Sequence, residues 1–162
     1  MTASLFPWLR MLHILFAASW FGAAAFLTLY LLPVARQLGP SGGTTMTALT
    51  GRGFHRFMAA NSGLTILSGL WLYWTLTAGF AAPAMASRSG MVFGLGGVAG
   101  LLAAVIGGAV IGRTLTRIET LKAGHPDEQA IEALQARVSV ASRCALALLL
   151  FALVAMALGH TM

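Results

Sequence analysis

Four long apolar stretches constrain this chain more than any other feature. They cover residues 6–32, 57–80, 91–111 and 144–159. A helix needs roughly 20 apolar residues to cross a bilayer's hydrocarbon core. In lipid, every backbone N–H and C=O must be satisfied internally, which leaves helices or closed barrels. Barrel strands alternate apolar and polar residues, and these stretches do not. The expected fold is therefore all-α: an integral membrane up-down four-helix bundle, one domain over residues 1–162. The fourth stretch is short, but Arg143 can snorkel and the residues before it can extend the helix. Composition agrees. Charged residues make up 9% of the chain, against about 25% in soluble domains, too few to cover a water-facing surface.

The net charge of +6 would suit a nucleic-acid partner, but its distribution argues for lipid. Arg36, Arg52 and Arg56 lie between the first two stretches, and Arg113, Arg117, Lys122, Arg137 and Arg143 between the last two. Only Arg10 and Arg88 lie on the other side. Basic loops stay in the cytoplasm, so both termini are expected outside. The partners expected are the lipid bilayer and its anionic headgroups. The first stretch is longer than a signal-peptide core and shows no cleavage site before Pro33, so it is read as a span.

Between spans, Pro33 should kink or end the first helix. Gly39-Pro40-Ser41-Gly42-Gly43 reads as the turn-rich start of a connection over 39–53. The outer link, 79–88, is short and Ala-rich. Residues 113–143 read instead as a cytoplasmic helical hairpin that extends spans three and four. Leu115, Ile118 and Leu121 keep helical spacing, Gly124 gives a stop, and Pro126-Asp127-Glu128 gives a start. Ile131, Leu134, Val138, Ala141 and Ala145 then run as one stripe into the fourth span, a helix about 50 Å long. All four acids, Glu119, Asp127, Glu128 and Glu132, fall in this hairpin. It is expected to be solvated and charge-paired, or to dock a membrane-complex partner.

Within the spans, Gly96, Gly100, Ala104, Gly108 and Gly112 form a stripe of small residues. Such a stripe lets helices approach closely, within the bundle or in a homo-oligomer, so Gly100→Leu is expected to disrupt packing or assembly. The same smooth face would also suit a flat cofactor. Asn61, Thr65 and Ser68 share one face of the second span and should point inward to bridge helices. Trp8, Trp71, Tyr73 and Trp74 fit an outer aromatic belt. The lone Cys144 reads as a small buried residue.

His13 is the residue most suggestive of chemistry. A charged group at mid-bilayer costs roughly 2.5–3.5 kcal/mol on insertion scales, so an ionisable side chain there needs a partner or a task. Arg10, His13, Ala17, Trp20 and Ala24 share one helical face. His13 could bond a hydroxyl in the interior, or ligate a metal through a neutral imidazole nitrogen. His160, expected at the same outer surface, is the candidate second ligand. His55 opens the second span at the far side and cannot share a metal with His13. His125 reads as a solvated turn residue. Met1, Met11, Met85, Met91 and Met162 gather on the outer side, and thioether with imidazole suits Cu(I). That makes His13, His160 and Met11 a candidate copper set, although Met11 and His13 diverge on a regular helix. No span holds a carboxylate, and no phosphate loop, zinc-protease motif or Ser-His-Asp arrangement is present, so no catalytic residue is nominated.

The run Leu12-His13-Ile14-Leu15 through Ser19-Trp20-Phe21-Gly22 resembles small bacterial membrane proteins that include copper-resistance protein D-like domains and HemJ-like protoporphyrinogen oxidases. The stretch from Leu38-Gly39-Pro40 to Leu67-Ser68-Gly69-Leu70-Trp71-Leu72-Tyr73-Trp74 looks like an allied group of uncharacterised four-span proteins. The resemblance implies a bacterial inner-membrane protein. The HemJ-like comparison implies haem b with His13 as axial ligand. Trp20, Arg10 and, on the glycine face of span three, Gly100 are expected to border such a cofactor. The copper-resistance comparison implies copper handling at the outer face.

Overall fold

The computed structural model describes residues 2–124, 127–159 and 161. His125, His160 and Met162, and Met1 at the start, lie outside the described residues, so the pairing expected of His160 falls there too. Every regular element among the described residues is helical. α1 (Thr2–Phe26) passes through a π-helical turn, Leu27–Leu31, into α2 (Leu32–Gln37). α3 (Pro40–Gly51), α4 (Phe54–Leu76) and the short α5 (Ala82–Met85) follow. α6 (Arg88–Val105) continues through a second π-helical segment, Ile106–Gly112, into α7 (Arg113–Ala123). α8 (Glu128–Leu158) closes the chain.

Three helical runs are long and apolar enough to cross a membrane: Leu5–Gln37, Arg88–Ala123 and Glu128–Leu158. α4 is not among them, because Asn61, Ser62, Thr65 and Ser68 dilute the apolar character of its middle turns. The accessible surface is 10351 Å², against roughly 7,700 Å² for a soluble monomer of this mass. Much of the excess is apolar, and Trp8, Leu67, Leu95 and Val140 are more than half exposed. Such a surface is compatible with a lipid surrounding.

α6 packs along α8 and α1 packs along α4, while α4 also touches α6 and α8 touches α1. One core joins them. Trp20 of α1, Ala103 of α6 and Ala145 and Leu149 of α8 are buried together, with Met58 of α4 packed against them.

Several local expectations need correction. Pro33 does not end its helix. Its missing N–H and its ring would clash with a regular turn, and the wide turn just before it, where the Leu32 N–H reaches Leu27 O, opens the backbone there. The chain instead turns at Gly39, whose φ of +55° favours glycine. Pro40 then occupies the first turn of α3. The supposed loop is therefore helical, and Thr45, Thr47 and Thr50 back-bond to Ser41, Gly43 and Met46 carbonyls. The outer link also contains a helix, α5, and Ser87 caps α6 by accepting from Gly90 N.

The hairpin residues behave largely as their pattern suggests. α7 stops at Gly124, and Asp127 caps α8 through its bond from Ala130 N. The buried face of α7, however, is Thr114 and Ile118, with Leu115 turned outward. No ion pair forms among the described residues, so the acids of this region are solvated rather than paired. Cys144 is exposed, because Ser142, Ala145 and Leu149 take the inward face of α8. Tyr73 does not join the belt. It sits a little over half a turn from Trp71, and its hydroxyl donates to Gly90 O on α6, whereas Trp71 and Trp74 face outward.

The small-residue stripe divides. A Cβ at Gly96 would lie 3.1 Å from Ala155 Cβ and 3.2 Å from Met156 Cε, whereas nothing lies within 4 Å of one at Gly100 or Gly108. Close packing on α8 therefore runs through Gly96, Ala99 and Ala103, and Gly100 is not needed for packing within the chain. Gly96→Leu is expected to cost about 1–3 kcal/mol and Gly100→Leu much less. Size-exclusion after heating in detergent reads the difference. Equal loss in both variants would contradict the assignment.

Candidate functional site

The site begins with the polar face of α4. Asn61 and Ser68 are buried and Thr65 half-buried. Their bonds run mostly within their own helix rather than between helices. Asn61 Nδ2 donates to Phe57 O, Thr65 Oγ1 to Asn61 O, and Ser68 Oγ to Leu64 O. The interhelical bonds of this face are the ones that meet His13.

His13 is half-buried on α1, facing α4. Its Nδ1 lies 3.0 Å from the Thr65 carbonyl and 3.0 Å from Ser68 Oγ. The Thr65 carbonyl can only accept, and Ser68 Oγ spends its proton on a carbonyl of its own helix. Nδ1 must therefore carry the hydrogen, and Nε2 keeps its lone pair. Nε2 has no hydrogen-bond partner among the described residues. Gly69 forms the floor. A Cβ there would stand 2.8 Å from His13 Cε1, so only a glycine lets the imidazole lie this close to α4.

The structure thus joins His13 to Thr65, Ser68 and Gly69. The other nominated residues lie apart from it. Trp20 is on the same face of α1 but two turns on, about 10 Å along the axis, and is built into the core. Gly100 belongs to α6, which packs on α8 and α4. Arg10 is exposed one turn before His13. Met11 is 44% exposed and lines an open cleft of about 420 Å³ with Phe6, Pro7, Arg10, Ile14 and Leu15, whose walls do not include His13. His55 opens α4, about 20 Å along the helix from Ser68, so it stands far from His13 as expected.

Among the described residues, no group of three His, Cys, Asp or Glu could hold a metal ion. A metal at Nε2 would need its remaining coordination from another source. The polar stripe of α4 was visible in the sequence, but its link to His13 was not. Gly69 also passed unnoticed, since no periodicity marks a glycine that meets a ring on another helix.

Comparison with known proteins finds no matching family model, no similar curated protein and no similar solved structure.

Proposed function

We propose that this chain is a four-span membrane protein of a bacterial inner membrane, with both termini outside, that holds haem b through His13 Nε2. The observation that carries the ligand is the anchoring of Nδ1 by Thr65 O and Ser68 Oγ. Histidines that ligate metals almost always donate their other ring nitrogen in this way, which sets the tautomer and raises the basicity of the ligating nitrogen. Haem would bring ligating nitrogens of its own and a redox-active iron, with His13 as the residue of this chain that would hold it.

The residues of the chain have separate tasks in this reading. Thr65 and Ser68 hold the ring orientation, and Gly69 sets its depth. Arg10, one turn toward the outer surface, supplies positive charge for a propionate. Gly100 and Trp20 stand apart from His13, so neither has a part in holding the ring. For the fourth span, α4 supplies 23 residues, about 35 Å at 1.5 Å per residue, enough to cross. Its polar face is turned inward, so the lack of apolar character costs little in lipid. The eight bases on one side support cytoplasmic placement of α3, α7 and the start of α8.

The test is an absorption spectrum of purified protein after haem supplementation. Wild type is expected to show a Soret band, and His13→Ala to lose it while keeping its helical content. A colourless wild type would overturn the haem assignment, and bound copper in its place would move the site to the copper reading.

A further inference from the structure

A second site lies at the opposite end of the long helices. Leu32, Pro33 and Arg36, at the end of the first helical run, face Ser139 and Arg143 of α8 across a cleft of about 240 Å³. We propose that this cleft binds the phosphate of an anionic phospholipid headgroup. The proposal rests on the reading that α1 and α8 span the membrane, and is independent of haem.

Two arginines from segments over a hundred residues apart, Arg36 and Arg143, line one small cleft, and no acidic residue lines it. Like charges placed together without a counter-ion repel, so the arrangement is favourable only when an anion enters. Arg36 is held in place by donating to the Gln135 carbonyl. Neither arginine forms an ion pair among the described residues. Arg143 and the Ser139 hydroxyl have no hydrogen-bond partner among them either. Arg36, with the donors not used on Gln135, together with Arg143 and Ser139, brings to the cleft the donor types that suit phosphate oxygens. Its volume exceeds the roughly 30 Å³ that one liquid water occupies several-fold, enough for a phosphate group. Leu32 and Pro33 make the adjoining wall apolar, as the start of an acyl chain requires, and the apolar helices put the cleft at headgroup depth. Arg52 and Arg56 lie on the same side but line neither this cleft nor the outer one.

The experiment measures binding of phosphatidylglycerol and phosphatidylcholine to the full chain in detergent by native mass spectrometry. Wild type should prefer phosphatidylglycerol by roughly tenfold or more. Arg36→Gln with Arg143→Gln should remove the preference, and Arg52→Gln with Arg56→Gln should keep it. Arg36→Lys with Arg143→Lys, which keeps the charge, should lose part of it. Circular dichroism confirms that each variant folds. Equal binding of the two lipids by wild type overturns the proposal, as does equal loss in both Gln pairs. Heat protection by millimolar inorganic phosphate, without phosphatidylglycerol binding, overturns the lipid source and assigns the cleft to a soluble phosphate. Release of wild type from membranes by alkaline carbonate overturns the spanning reading itself, a result separate from all of these.

Discussion

Gly69→Ala protein should melt below wild type and, on the proposed haem reading, give a weaker Soret band, although one methyl group is all that it gains. In a free helix this change would stabilise, since alanine is better than glycine by about 0.8–1.0 kcal/mol. Here the new Cβ would stand 2.8 Å from His13 Cε1. The ring cannot simply swing away, because Nδ1 is tied to Thr65 O and Ser68 Oγ. Either both bonds break or α1 and α4 separate. Overpacking of this kind costs about 1–3 kcal/mol, which outweighs the propensity gain. Gly63, on the same helix, has nothing within 4 Å of the equivalent position, so Gly63→Ala should be neutral or slightly stabilising. Thermal melts of the two variants, with the Soret band as second readout, check this. Gly69→Ala matching Gly63→Ala in both would remove the close approach from the account of the site.

Gly42→Ala should be more damaging to the fold. A Cβ there would fall 2.0 Å from Ala35 O and 2.6 Å from Ala35 C, both backbone atoms. No rotamer change can relieve such a contact, so α3 must move off α2 or the Gly39 turn must open. The cost is about 3 kcal/mol or more, and a Tm fall of roughly 6–12 °C follows for a chain of this size. Gly43 and Gly51 are the controls. The nearest atom at Gly43 is the mobile Lys122 Nζ, and Gly51 has open space. Alanine at either should leave Tm within about 2 °C. Limited proteolysis across 39–53 should show faster cleavage in Gly42→Ala alone. If all three variants melt together, α3 is not docked as described.

Much of the architecture was legible because it follows from local rules. Three of the four apolar runs, the stop at Gly124 and the Asp127 cap each depend on neighbours within a few residues, and these appear as helices long and apolar enough to cross, a stop and a cap. The inward face of α4 was legible for the same reason, since Asn61, Thr65 and Ser68 recur at helical spacing. Errors arose where one signal had two physical outcomes. Gly39 to Gly43 looks like a loop, yet Pro40 can open a helix as readily as break one. Tyr73 belongs by composition to an aromatic belt, but its angular position turns it toward Gly90 O. Cys144 has the size of a buried residue and lies on the wrong side of α8.

By itself, then, the sequence determined that this chain is helical and apolar enough for lipid, which faces of its helices carry polar groups, and that His13 is anomalous. Periodicity carries that information, because each face repeats every three to four residues along one helix. Only the tertiary structure decided that His13 meets Thr65 and Ser68, more than fifty residues away, that Gly96 rather than Gly100 packs on α8, and that Arg36 and Arg143 share a cleft. These outcomes depend on how far apart two helices stand and how they are rotated against each other. Small residues at single positions set both quantities, and they leave no repeat in the sequence.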